Sequence, residues 1–201
     1  GIAEPSKTHI SQILLCSIAR RENLMTHFGI LCPAAIGHLN PMCALGRELQ
    51  RRGHHVTLFG IPDIQPKVKN SGLDFWKIGE AEFPTGALEQ KYKQLGEMSG
   101  LAGLNFTVRW LQQETAMLFR EAPEALKAAG IQALLVDQVT VGGGTSADLL
   151  NLPFITLCNA LLINRESGVP PYFTHWNYSK AWWARLRNQL GNSFLNRITQ
   201  S

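Results

Sequence analysis

The sequence predicts an α/β fold, an open parallel sheet flanked by helices. Short runs such as FGIL and VTLF are apolar on consecutive residues, as strands covered on both faces are, instead of alternating. They are separated by stretches with helical spacing, the alternation that builds βαβ units. The stretch Met25 to Gly60 holds one such unit with marked limits. A right-handed crossover and a Rossmann-like sheet follow from that unit.

His27 to Cys32 reads as the first strand, bounded by Pro33, and His54 to Phe59 as the second, with Val56, Thr57 and Phe59 supplying β-branched and aromatic residues. The helix between them is expected to be capped by Asn40, with Pro41 in its first position and Gly53 ending it after Arg51 and Arg52. Met42, Leu45, Gly46 and Leu49 would face the sheet. Pro62 to Ser71 reads as a short helix and Leu73 to Ile78 as a third strand. A helix from Leu88 to Glu97 lies within an irregular, glycine-containing stretch, Gly79 to Gly103. Leu104 to Ala129 is the longest helical pattern, with Phe106, Trp110, Leu111, Leu118 and Phe119 on one face, and Pro123 is expected to kink or divide it. Ala133 to Val136 is a further buried strand with Asp137 at its carboxyl end. A helix from Thr145 to Leu150, a strand from Pro153 to Cys158 and a helix from Ser179 to Ile198, weak at Gly191, complete the pattern.

Ligands of open α/β sheets bind where the chain leaves the carboxyl ends of strands. His38 is expected in such a loop, Ala34 to Leu39, where an imidazole can take a proton near neutral pH; a loop histidine bonded to backbone is the other reading. Asp137 can accept the second ring N–H of His38 and so select its tautomer, or it can bind the backbone amides that follow it. The run Gly142 to Gly144 lacks the lysine and spacing of a phosphate loop, so it reads as backbone passing close beside a bound ligand or beside His38.

The run Pro33, Ala34, Ala35, Ile36, Gly37, His38, Leu39, Asn40, Pro41, followed by Leu45, Gly46, Leu49, Arg52, Gly53, His54, Val56 and Thr57, resembles the opening of the nucleotide-sugar-dependent glycosyltransferases of the GT-B architecture. Within them it is similar to the family of plant UDP-glycosyltransferases, macrolide glycosyltransferases and bacterial zeaxanthin glucosyltransferases. The resemblance implies an inverting transferase in which His38, oriented by Asp137, deprotonates an acceptor hydroxyl, with a UDP-sugar as co-substrate, no other cofactor and no metal. It implies that Ile36, Gly37, Leu39, Phe106, Trp110, Gly143 and Asn159 line the site of an apolar small-molecule acceptor. It also implies that residues 25–201 are a truncated N-terminal acceptor domain. The donor-binding C-terminal domain is expected to be absent, and this piece alone to be inactive. Residues 1–24 stand outside the pattern and are expected to be an extension or tag, poorly ordered.

Composition narrows the alternatives. A formal charge of +4 over 201 residues is mild and gives no reason to expect a nucleic-acid partner. The four cysteines show no CxxC pair or zinc spacing and read as small buried hydrophobes of a reducing, cytoplasmic compartment. A dinucleotide oxidoreductase would need GxGxxG after the first strand and an acid ending the second, and neither is present. A non-catalytic lipid- or small-molecule-binding domain and a GT-B-type sugar-nucleotide epimerase stay open. The aromatic stripe of Phe106 and Trp110 fits core packing as well as ligand contact. The segment Trp176 to Arg197, with its tryptophans and arginines, fits either a packed amphipathic helix or peripheral contact with an anionic membrane.

Overall fold

The computed structural model describes residues 25–160, 166–171 and 174–199. The expected extension, residues 1–24, lies outside them, as do residues 161–165, 172, 173, 200 and 201. Five strands form one parallel sheet: β1 His27–Leu31, β2 His55–Gly60, β3 Asp74–Lys77, β4 Ala133–Asp137 and β5 Phe154–Leu157, in the order β3-β2-β1-β4-β5. Ile30 of β1 stands opposite Leu58 of β2 on one side and Leu135 of β4 on the other. Ile30, Val56, Leu58, Ala133 and Leu134 are fully buried, which explains why these strands are apolar on consecutive residues.

The helices are α1 Ile36–Arg51, α2 Gln65–Asn70 after a 3₁₀ turn at Pro62–Ile64, α3 Ala87–Gly96, α4 Gly100–Ala128, α5 Gly143–Leu149 and α6 Trp182–Thr199. The chain runs outward through β1, β2 and β3, then returns past the starting strand to β4. The strand order therefore reverses between β1 and β4, and the crevice at their carboxyl ends is the place for a ligand.

Four expectations are corrected. Helix α1 starts at Ile36, not after Asn40: extended Ala35 precedes it, and the Ala35 carbonyl accepts the N–H groups of both His38 and Leu39. Asn40 and Pro41 obey the local grammar of a helix start, but the earlier start seats Leu39 in the core, 2% exposed. Pro41 is accommodated inside the helix, where it lacks the N–H that would reach the Gly37 carbonyl. Pro123 does not divide α4, which runs continuously for 29 residues. The buried face of α4 is Met117, Leu118, Ala122, Ala125 and Leu126, whereas Leu111 and Phe119 are exposed. Gly191 is not a weak spot. A Cβ there would stand 2.8 Å from Pro171 Cγ and 3.0 Å from Trp176 Cζ3, so the missing side chain lets the preceding segment lie directly on α6.

Candidate active site

His38 and Asp137 are 99 residues apart in sequence and meet at the crevice beside β1. His38 sits in the first turn of α1, so its backbone is held by helical hydrogen bonds instead of belonging to a free loop. Asp137 is the last residue of β4, one step beyond the Leu31–Val136 pair, and is 0% exposed. A buried carboxylate has to be satisfied by donors, and this one has three. Oδ1 accepts the Val139 backbone N–H at 3.0 Å. Oδ2 accepts from the Asn159 amide at 2.7 Å and from His38 Nδ1 at 2.8 Å.

The carboxylate only accepts, so the proton of a neutral imidazole lies on Nδ1 and Nε2 keeps its lone pair. The His38 side chain is 19% exposed, enough for a small group to approach that nitrogen. The pair can therefore take a proton from a ligand at Nε2 and hold the resulting imidazolium against the carboxylate.

An apolar cleft adjoins Asp137 through Val139 and is walled by the chain leaving β1 (Cys32, Pro33, Ala34), by Phe59 to Ile61, by α4, and by Val139 to Val141; neither His38 nor Asp137 is among its lining residues. Its whole free volume is about 40 Å³, the room of a water or two. Burial pushes the Cys32 thiol far above its ordinary range, with Cys43 and Asp137 adding to the shift, so it is no thiolate nucleophile. Among the described residues no group of three His, Cys, Asp or Glu side chains could hold a metal ion.

The other expected acceptor residues are dispersed. Ile36 is 69% exposed and borders a separate outer groove with Ala34, Leu88 and Tyr92. Gly37 faces open space, so nothing in the structure crowds a side chain there. Leu39 is packed in the core and does not wall the cleft, because the earlier start of α1 turns it inward. Gly143 serves helix-to-strand packing, since its Cβ would lie 2.4 Å from Val136 Cγ1. Phe106 and Trp110 clamp α3 against α4: their rings meet at 6.3 Å, Trp110 meets Tyr92 at 5.3 Å, and Lys91 Nζ lies over both, 5.8 and 5.5 Å from the centroids. Asn159 reaches the site through Asp137, not as a wall. Sequence reading missed that role, as it missed Glu114 and Thr140, which line the cleft. Nothing in a local pattern marks either residue.

No family model matches the chain. The chain is similar to the zeaxanthin glucosyltransferase of Pantoea ananas, 31% identical over 163 residues that make up 81% of this chain and 38% of that protein. Identity to the zeaxanthin glucosyltransferase of Pseudescherichia vulneris is 29%, over 73% of this chain and 34% of that protein. The NDP-glycosyltransferase YjiC of Bacillus subtilis is 29% identical over 70% of this chain and 33% of its own length. The chain thus spans between 33% and 38% of the length of these curated relatives. Among solved structures, the calicheamicin glycosyltransferase CalG4 superposes with a TM-score of 0.52 at 19% identity, covering 84% of this chain and 36% of that one. The Streptomyces sp. SF2575 glycosyltransferase SsfS6 does so with a TM-score of 0.52 at 18% identity, covering 65% and 38%. SsfS6 has also been solved with thymidine diphosphate. At these identities the structural likeness speaks for the fold.

Proposed function

The chain belongs to the GT-B glycosyltransferases, and from that premise we propose that it is the acceptor-binding domain of an inverting, UDP-sugar-dependent enzyme. The observation that carries the proposal is the 2.8 Å contact between His38 Nδ1 and Asp137 Oδ2 at the switch point of the sheet. An acceptor hydroxyl hydrogen-bonds to His38 Nε2. As its oxygen forms a bond to the anomeric carbon, its proton passes to Nε2 and the bond from that carbon to the nucleotide phosphate breaks. UDP leaves from the opposite face, which inverts the anomeric centre. The imidazolium stays paired with Asp137, and Asn159 and Val139 keep that carboxylate aimed. In this reading the donor is UDP-glucose and is held by a second domain, and the acceptor is an apolar alcohol such as a hydroxylated carotenoid. The zeaxanthin glucosyltransferases among the relatives support that acceptor class.

Peripheral membrane contact belongs to the same reading and rests on α6. One side of this helix is buried through Ala184, Asn188 and Leu195, while Trp182 (77% exposed), Trp183, Leu186, Leu190 and Phe194 face outward. Lys180, Arg185, Arg187 and Arg197 accompany them, and from Ser167 to Ser201 there is no acidic residue. A basic apolar face of this kind suits the headgroup region of an anionic membrane, where a lipid-like acceptor is found. Among the described residues no helix is long and apolar enough to cross a bilayer.

The test is acceptor-dependent UDP release by the full-length protein, wild type beside His38→Ala. Loss of about two to four orders of magnitude in turnover is expected from removing a general base. Unchanged turnover would remove His38 from the chemistry. Sedimentation with anionic vesicles, weakened in a Trp182→Ser/Leu186→Ser variant, tests the membrane contact.

A further inference from the structure

The cleft next to Asp137 has apolar walls, among them Leu31, Phe59 and Leu118, but three polar side chains line it as well. Thr115 gives its hydroxyl to the Leu111 carbonyl at 2.7 Å, and the other two are not used by the proton transfer. Thr140, in the turn that follows β4, is 8% exposed. Among the described residues its Oγ1 is the buried side-chain polar atom without a hydrogen-bond partner. An unsatisfied buried hydroxyl is costly and rare in a folded protein, and its persistence calls for a role. Its methyl carbon packs toward Gly143, 3.5 Å from where a Cβ would be.

Glu114, on α4, is the second. Its Oε1 accepts the indole N–H of Trp110 at 2.9 Å, and Oε2 takes no hydrogen bond from the described residues. Burial raises this carboxyl above the ordinary glutamate range against the opposing pull of the Trp110 hydrogen bond and the Lys91 charge. The group therefore holds a proton more readily than a surface glutamate, and it can donate as well as accept. The Trp110 bond also fixes the rotamer, tying the carboxyl to the aromatic clamp between α3 and α4.

We propose that Glu114 and Thr140 form a polar subsite that hydrogen-bonds a second oxygen of the acceptor, a hydroxyl or carbonyl carried on an otherwise apolar skeleton. This rests on the reading of the cleft as the acceptor site. The free space of the whole cleft, about 40 Å³, suits one oxygen-bearing group and not a ring, so the apolar skeleton would lie outside it. The subsite selects among acceptors with the same reacting hydroxyl: a ligand with an oxygen in the right place satisfies the Thr140 hydroxyl and the second oxygen of Glu114, and a ligand without one leaves the Thr140 hydroxyl buried without a partner.

Isothermal titration of the chain with 2-naphthol and a set of dihydroxynaphthalene isomers tests this. At least one isomer is expected to bind wild type about tenfold more tightly than 2-naphthol, equivalent to ~1.4 kcal/mol. Thr140→Val, which keeps the shape and removes the hydroxyl, is expected to erase most of that preference and leave 2-naphthol affinity within about twofold. Its melting temperature should be unchanged or higher, because an unsatisfied hydroxyl has been removed. A preference that survives both in Thr140→Val and in Thr140→Val/Glu114→Met overturns the subsite. So does equal binding of every isomer and 2-naphthol to wild type, or a lower melting temperature in Thr140→Val with the preference intact. Val141→Trp separates the two readings, since Val141 lines the cleft and is exposed, so a tryptophan there fills the mouth without disturbing the core. If it leaves all probes bound as before, the cleft is not the acceptor site and the subsite falls with it. If it abolishes binding while Thr140→Val does nothing to the preference, the acceptor site stands and only the subsite fails.

Discussion

Replacing Asp137 by asparagine isolates what the carboxylate contributes, because the side chain keeps its shape while one acceptor becomes a donor. The carboxylate accepts three hydrogen bonds from a fully buried position. The asparagine carbonyl can remain against the Val139 N–H. Its NH₂ then stands where Oδ2 accepted from His38 and Asn159. Asn159 can turn its amide to present an oxygen. His38 can relieve the clash only by moving its proton from Nδ1 to Nε2, and Nε2 then has no lone pair for an acceptor hydroxyl. The imidazolium formed during transfer also loses a counter-charge 2.8 Å away. A charge-assisted hydrogen bond contributes about 1.5–3 kcal/mol, and the wrong tautomer adds to its loss. The sum of ~3–5 kcal/mol corresponds to about 10²–10⁴ in kcat/KM for the full-length enzyme. Asp137→Ala loses the charge but does not enforce the wrong tautomer, so it should retain more activity than Asp137→Asn. UDP release under saturating donor, with melting temperatures to confirm folding, reads both. Asp137→Asn within about threefold of wild type, or above Asp137→Ala, would refute the tautomer argument.

Other outcomes follow from single contacts. Gly191→Ala places a Cβ 2.8 Å from Pro171 Cγ and 3.0 Å from Trp176 Cζ3, so it should destabilise the fold by about 1–3 kcal/mol in urea titration, despite alanine's better helix propensity. Gly143→Ala, whose Cβ would lie 2.4 Å from Val136 Cγ1, should lower stability similarly and displace the turn that carries Thr140, whereas Gly37→Ala, facing open space, should be close to neutral on steric grounds. Glu114 gives a pH signature: its carboxyl is raised in the folded state, so between the unfolded value and that raised value the folded protein binds more protons than the unfolded one. Its contribution is thus complete below the unfolded value and declines as pH rises through the folded one. Wild type should lose stability relative to Glu114→Gln as pH rises from the ordinary glutamate range toward neutrality in thermal melts; parallel curves would contradict the burial of that carboxyl.

Much of this fold is legible in local pattern. Consecutive apolar residues in β1, β2 and β4 mark strands covered on both faces, because a residue on either face of a buried sheet has to leave water. Glycines and helical spacing separate the elements, and the placement of His38 and Asp137 after two different strands follows from the same run of signals. Errors occur where local preference and packing compete. Asn40 and Pro41 look like a helix start, yet burial of Leu39 draws α1 back to Ile36. Pro123 looks like a break, yet the flanking turns of α4 are held by Leu118, Ala122, Ala125 and Leu126 in the core. Phe106 and Trp110 look like a pocket wall and are a clamp on α3.

The sequence by itself determined the element types, their order and the kind of chemistry His38 can perform, since propensity, periodicity and side-chain acidity are carried by residues and their near neighbours. The tertiary structure alone decided the strand order that brings His38 within 2.8 Å of Asp137, the Asn159 amide that steadies the carboxylate, and the meeting of Glu114 and Thr140 in one cleft. Each of these contacts joins residues more than twenty positions apart, and what holds them together is burial of the central strands β1, β2 and β4 beneath the helices, a property no local window contains.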